Sequence, residues 1–440
     1  MLRFLTAGES HGKGLVVILE GMPAGLHLDF DAITEQLKRR QGGYGRGRRM
    51  AIESDKAEIL SGVRAGETLG SPISLLIRNK DWENWQQTMH AEDEAPAGAT
   101  GTTRPVVTRP RPGHADLAGA IKYDRTDIRD VLERASARET AARVAAGAIA
   151  RQLLRAFDVE IVSHVYRVNG IGLDSPLRVT FEAARDIGAD SALRCADLDA
   201  ELKMIAEIDR CRDAGDTAGG AFEVIARGLP VGLGSYVHWD RKLDGRLAQA
   251  MMSIPAIKGV GIGIGPNAAS VPGSRMHDEI VPAPSRTKPP IGLTRPTNNA
   301  GGLQGGVTNG EDVRISGFMK PIATRMKPLR SVDLADMSEA PAVIERSDVC
   351  AISAAAVVGE AVVSLVLADA FLEKFTGDSL GEMQRNYANS TDRLQARFRK
   401  TQPAAPAREG GLAAPKPDGH EGEAGPVPPK PDGRKEREGG

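Results

Sequence analysis

The chain has 440 residues, 57 Lys and Arg against 58 Asp and Glu, and 41% hydrophobic residues, so it can bury one large core or two ordinary ones. Its three cysteines, Cys195, Cys211 and Cys350, are odd in number and lack C-x-x-C spacing, which argues against a disulfide framework, suggests no structural metal site and makes a reducing cytoplasm the default. Nine Phe, three Trp and five Tyr are too few for a protein built to stack on single-stranded nucleic acid, and small anionic metabolites remain as partners.

In chain order, Arg3 precedes an apolar stretch broken at Thr6, so the N-terminus is no signal peptide. Residues 15–19 (LVVIL) predict a strand, and GMPAG at 21–25 a turn into a second strand. Residues 31–40 predict a helix closed by Gly42 and Gly43. Lys38, Arg39 and Arg40 can be read as its basic last turn, which favours cations, but Arg46, Arg48 and Arg49 lie beyond the glycine stop. The run RRQGGYGRGRR at 39–49 packs five arginines and four glycines together. Glycine lets the backbone approach a ligand and arginine offers a planar fork of donors, a combination suited to phosphate and carboxylate.

Residues 73–77 predict a strand before a polar loop, 79–103, that carries Trp82 and Trp85. TRPRPGHAD at 108–116 is a second cationic loop, stiffened by proline. Ser136 and Glu139 form a capping-box pattern opening an alanine-rich helix to about residue 155, whose N-terminus is an available anion site. His164 and His238 lie in strand-like sequence and read as structural. GVGIGIG at 259–265 predicts a strand with one bare face, open to a packed helix or a ligand. The stretch 282–330 is loop-like and glycine-rich, as functional segments often are. Residues 351–371 read as a buried helix rather than a membrane span, since they contain Glu360 and Asp369. Asp348 precedes this helix and could simply cap it. Residues 401–440 hold eight prolines, eight glycines and PKPDG twice; they cannot form a core and are expected to be a disordered tail on a single domain of about 400 residues.

His11 in GESHG and His114 in RPRPGHAD sit beside glycines and charged residues, where imidazole can reach a ligand and exchange protons near neutral pH. Other patterns carry less. Residues 7–13 match a phosphate-binding loop up to its lysine, but Gly14 stands where Ser or Thr must hold magnesium. GVGIGIG lacks the third glycine of a dinucleotide fingerprint. GGYGRGRR has the look of an RNA-binding RGG segment, but it occurs once, between structured flanks.

Taken together, GESHG, RRQGGYGRGRR, TRPRPGHADL, RASARET, NNAGGLQGG, MKPIAT, MKPLRSVD and ERSDVC, in that order, resemble the chorismate synthase family over about residues 1–395. This chain reads RSDVC where some members read RHDPC. The resemblance implies a lyase that converts 5-enolpyruvylshikimate 3-phosphate to chorismate and phosphate with reduced FMN, NADPH being a possible reductant. It further implies an α/β sandwich (α+β-like) of antiparallel sheets and helices, assembled as a homotetramer, with no nucleic-acid or membrane partner. By the same resemblance His11, His114 and Asp348 are catalytic: His114 protonates the leaving phosphate, His11 holds the proton balance at the flavin and Asp348 relays a proton. Arg134, Ala135, Ser136, Gln249, Ala250, Gly305, Lys320, Pro321, Ile322, Ala323, Thr324 and Arg346 bind flavin. Arg40, Arg46, Arg49 and Arg111 contact substrate or nicotinamide cofactor, as Arg346 also does.

Overall fold

The computed structural model describes residues 1–47, 54–283, 292–345 and 347–399; Arg48, Arg49, Arg346 and the expected tail lie outside them. Two antiparallel sheets enclose a layer of helices. The first has the order β1 (Arg3–Ala7), β2 (Gly14–Glu20), β4 (Ile73–Arg78), β3 (Ala57–Ser61). Leu15, Val17 and Leu19 of β2 and Ile73, Leu75 and Ile77 of β4 all point into the core, as a period of two requires. The second sheet has the order β8 (Ile257–Ile262), β9 (Val313–Met319), β7 (Gly220–Arg227), β5 (Glu160–Val168), β6 (Ile171–Gly172).

Between the sheets run α3 (Thr140–Arg155), which packs on β2, and α6 (Ile352–Lys374), which packs on β5, β7 and β9. Their crossing is close because Gly147 has no side chain: a Cβ there would lie 2.5 Å from both Cα and Cβ of Ala361. α1 (Phe30–Gln41), capped by the Asp29 side chain, lies against both helices. Glu360 in the middle of α6 is 2% exposed. It accepts hydrogen bonds from Arg39 of α1 (2.7 and 2.8 Å), Arg151 of α3 (2.6 Å) and Ser163 of β5 (2.6 Å). A charge that would be costly alone is tolerable with these partners, and it pins four elements together. α6 is long and apolar enough to cross a bilayer, but most of it is covered by protein.

Several expectations need correction. No second strand directly follows residues 21–25; Ala24 and His27 make isolated bridges to Ser379 and Glu67, and β2 pairs with the N-terminal β1 on one side and with β4 on the other. The stretch 282–330 contains β9, a seven-residue strand between β8 and β7. Its alternation is concealed because Arg314 and Ser316 are buried, Arg314 pairing with Glu223 at 2.6 Å. His164 is on β5, fully buried and 2.9 Å from Glu223, whereas His238 lies in an exposed loop beside Asp240. On the bare face of β8, Phe318 of β9 lies over Gly259, filling the position an absent side chain leaves, while Gly265 and Pro266, which open the 3-10 turn Gly265–Ser270, lie nearest Gly261.

Candidate active site

The glycine–arginine loop is held by close approach. Gly45, with φ +82°, takes the backbone N–H groups of Val349 and Cys350, and a Cβ on Gly47 would meet Ser347 O at 2.9 Å. Asp348 accepts from Gly47 N–H at 2.6 Å and pairs with Arg46 at 3.0 Å. It is therefore not the cap of α6, whose N-cap is Ala351 with no side-chain bond. Burial pushes the Cys350 thiol up to about 11, so this cysteine stays a protonated apolar neighbour of the loop.

Among the described residues, Arg40 is the least accessible of the candidate ligand arginines. It is 3% exposed and shares Asp55 with Arg138, at 2.7 and 2.6 Å. Two guanidiniums on one carboxylate leave a net positive charge. Burial pushes Arg40 down to about 10, Asp55 opposes this, and Arg138 and Arg46 add to it. Asp55 itself, which burial alone would raise, is held low by Arg40 and Arg138.

The second cationic loop leads into α2 (Asp116–Tyr123). Asp116, fully buried, accepts from Arg111 Nε at 2.8 Å and from Arg111 Nη2 at 3.1 Å, and its Oδ1 lies 2.5 Å from His114 Nδ1. Burial would raise this carboxyl, but the hydrogen bonds from His114 and Arg111 hold it well below the usual carboxylate range. Nδ1 of His114 also lies 3.1 Å from the donor Arg111 Nη2, but the shorter contact with the charged Asp116 makes Nδ1 the protonated nitrogen and leaves Nε2 as the exchanging one. Arg111 Nη1 donates to Thr324 at 3.1 Å, and Lys320 Nζ donates to Gly113 O. Thus residues 320–324 are docked on the His114 loop. They are also tied to Thr217, whose hydroxyl donates to Ile322 O at 2.8 Å, while Ala218 N–H donates to Val349 O. A continuous rim therefore runs from residues 45–47 through 347–350 and 217–218 to 320–324 and 111–116.

His11 is 7% exposed. Its Nδ1 lies 2.8 and 2.9 Å from the two Glu133 oxygens, its backbone N–H donates to the same carboxylate at 3.0 Å, and its ring stacks on Trp85 at 3.8 Å. Arg134 faces this loop, donating to Thr6 O at 2.9 Å and Gly8 O at 3.0 Å. Ser136 Oγ accepts from Arg138 N–H at 3.3 Å, half of the expected capping box; Glu139 turns instead to Arg143 at 3.0 Å. Ala137–Glu139 is a 3-10 turn leading into α3. Gln249 and Ala250 lie on α5 (Leu243–Met252), after α4 (Leu198–Asp213), and are linked to α3 through Ser253, which Arg143 contacts at 2.7 Å. Gly305, φ +61°, turns the hairpin beside the start of α5; no bond joins it to the rim among the described residues. Arg49 and Arg346 lie outside those residues. Asp55, Glu133, Asp81 and Arg138 were not picked out in the sequence, because their partners are distant in the chain and no local spacing marks them.

Surplus donors test whether the site suits anionic ligands. Arg40 Nε and Arg129 Nε are buried with no hydrogen-bond partner among the described residues, and the Arg40–Asp55–Arg138 group is net cationic, so the donor set fits phosphate and carboxylate. Among the described residues no cluster of three potential metal ligands occurs.

A family model for chorismate synthase matches residues 2–372. A chorismate synthase of Moorella thermoacetica is 57% identical over 395 residues, 90% of this chain and 100% of that protein. One from Geobacter sulfurreducens is 55% identical over 398 residues, with 90% and 100% covered. A solved structure described as a crystal structure of chorismate synthase superposes with a TM-score of 0.71 at 41% identity, covering 90% of this chain and 98% of that one. With the arginine-rich loops, His114 and residues 320–324 gathered on one rim, and with relatives aligned over their full length, the chain belongs to the chorismate synthase family.

Proposed function

We infer that the chain is a lyase catalysing the last step of the shikimate pathway, releasing phosphate from 5-enolpyruvylshikimate 3-phosphate to give chorismate. The observation that carries the site assignment is the Arg111–Asp116–His114 cluster docked on Lys320 and Thr324. The family depends on a reduced flavin, here read as FMN, which supplies electron density for departure of the allylic phosphate and takes part in loss of the ring hydrogen.

The protein's own residues bind, orient and move protons. Arg46 and the net-positive Arg40–Asp55–Arg138 group draw the substrate's anionic groups, and Arg49 and Arg346 are assigned with them by resemblance. His114, fixed by Asp116 on Nδ1, presents Nε2 as the proton donor to the leaving phosphate. Cations near that oxygen stabilise the charge that grows as the C–O bond breaks. Lys320 to Thr324, Arg134 to Ser136, Gln249, Ala250 and Gly305 are assigned to the flavin. Burial, followed by the nearby Lys258, lowers the Lys320 ammonium from its ordinary value, an environment that an anionic ligand would relieve. His11 and Asp348 complete the proton path, Asp348 held against the first cationic loop by Arg46 and Gly47.

The active form is assigned as a cytoplasmic homotetramer whose single catalytic domain ends near residue 400, with NADPH as the possible reductant. In the experiment that tests the function, purified protein is given 5-enolpyruvylshikimate 3-phosphate anaerobically with reduced or oxidised FMN. Phosphate release is expected only with reduced FMN, and equal turnover in both redox states would overturn the reading.

A further inference from the structure

The surroundings of His11 do more than bury it. Both oxygens of Glu133 converge on Nδ1 at 2.8 and 2.9 Å, and Oε2 also takes the His11 backbone N–H at 3.0 Å. Glu133 is 2% exposed and is braced by Arg129, one turn earlier, at 3.5 Å. On the other side of the ring, Asp81 Oδ2 lies 3.9 Å from Nε2, outside hydrogen-bond reach. That oxygen is taken instead by the Trp85 indole N–H at 3.2 Å, and Oδ1 by Asn84 at 2.9 Å. Trp85 stacks on the His11 ring with centroids 3.8 Å apart, while the Arg104 guanidinium lies 3.8 Å from its ring centroid.

We propose that Glu133 and the Trp85–Asp81 pair are positioning residues that fix His11 as its Nδ1–H form and keep Nε2 free to exchange protons. Glu133, an acceptor at every point of contact, obliges Nδ1 to carry a proton. Trp85 fixes the ring plane by stacking, and its indole N–H holds Oδ2, the Asp81 oxygen nearest Nε2, beyond hydrogen-bond reach of that nitrogen. Each group acts through His11 rather than on substrate. The proposal rests on His11 serving the reaction, but its first readout does not involve turnover.

The test uses full-length protein with histidine labelled by nitrogen-15 in the ring, the His11 signals being assigned by their loss in His11→Ala. In the wild type, Nδ1 should show the protonated pattern and Nε2 the unprotonated one at a pH where the ring is neutral. Glu133→Gln keeps the shape but offers one acceptor and one donor. With the carbonyl on the His11 backbone N–H, the amide N–H₂ faces Nδ1, and the pattern should invert. Phosphate release should then fall by about two to four orders of magnitude, with KM little changed, as inversion of a catalytic tautomer does elsewhere. Glu133→Asp, still a carboxylate, should restore the Nδ1–H pattern and part of the rate. Trp85→Phe keeps a stacking ring but removes the indole donor, so both ring nitrogens should become protonated. It provides the measurement if Glu133→Gln fails to fold. An unchanged nitrogen pattern in either folded variant would overturn the proposed cage. An inverted pattern with undiminished turnover would instead remove His11 from the reaction, leaving the lyase assignment to be judged by reduced-flavin turnover.

Discussion

Replacing Gly147 by alanine sets two effects of opposite sign against each other at the α3–α6 crossing. In an isolated helix the change would add stability, about 0.8–1.0 kcal/mol from propensity. Here the new methyl would lie 2.5 Å from Cα and from Cβ of Ala361 and 2.7 Å from its carbonyl oxygen. Carbon atoms prefer about 3.5–4.0 Å, so the helices must part by roughly 1 Å. None of these contacts is a flexible side-chain end that can rotate away. Overpacking of this kind costs about 1–3 kcal/mol; with backbone-linked atoms on both sides the upper end applies, leaving a net loss of about 2 kcal/mol. For an ordered chain of this size the unfolding entropy is about 0.8 kcal/mol per kelvin, so the thermal midpoint should fall by about 2–3 °C. Differential scanning calorimetry at fixed protein concentration reads this directly. The partner change Ala361→Gly should recover only a small part of the loss in the double variant, because it removes the Cβ contact and leaves those with Cα and the carbonyl oxygen. A midpoint raised by Gly147→Ala, or a double variant less stable than the sum of the single ones, would refute the argument from close approach.

Three further outcomes are expected. Glu360→Gln should cost about 3–5 kcal/mol at neutral pH by leaving buried guanidiniums unpaired. Burial would raise the Glu360 carboxyl, but Arg39, Arg151 and Arg194 hold it well below its ordinary range; its stabilisation is therefore complete above the unfolded value of about 4.3 and is lost as pH falls through the folded one. The gap between wild type and variant should narrow below about pH 4 in a melting series, and parallel curves would contradict this. His114→Ala and His11→Ala should each slow phosphate release by about 10²–10⁴-fold, and each should lower the melting midpoint, since each removes a hydrogen-bond partner from a buried carboxylate, Asp116 or Glu133. A substrate analogue whose leaving group needs no proton should relieve the first variant and not the second. Ending the chain after Lys400 should leave both melting and turnover intact, and loss of more than about half the activity at equal folded fraction would count against a dispensable tail.

Local chemistry made some of this legible in the sequence. The strands at 15–19 and 73–77, the helix at 31–40 and the buried helix from 351 follow from periodicity and capping, and each is present within a few residues. Loop arginines and loop histidines pointed to anion chemistry because glycine and proline beside them signal backbone held for a ligand. What stayed hidden depends on partners far apart in the chain. Asp55 is significant because Arg40 and Arg138 meet there, and Glu133 because it faces His11, 122 positions away. β9 was obscured for the same reason: Arg314 looks like a surface residue until Glu223 is opposite it. His11 itself reads as an open-loop residue in sequence, and the packed Trp85 and Glu133, both distant in the chain, make it a buried one.

The rim that joins residues 45–47 to 347–350 has a consequence for how the protein is made. Gly45 and Gly47 find their partners only in a segment some three hundred positions later, and residues 111–116 wait for 320–324. During synthesis, the first sheet can pair soon after its strands emerge, but α6 arrives almost last and brings Glu360 to the waiting Arg39 and Arg151. Such long-range closure is slow and leaves apolar surface uncovered until it occurs. A nascent chain stopped before residue 320 has its early arginines but neither of the late segments, 320–324 and 347–350, that order them. Capture of an anionic ligand is thus a late event in the life of the chain, and the ability to hold one marks a molecule whose translation is nearly finished.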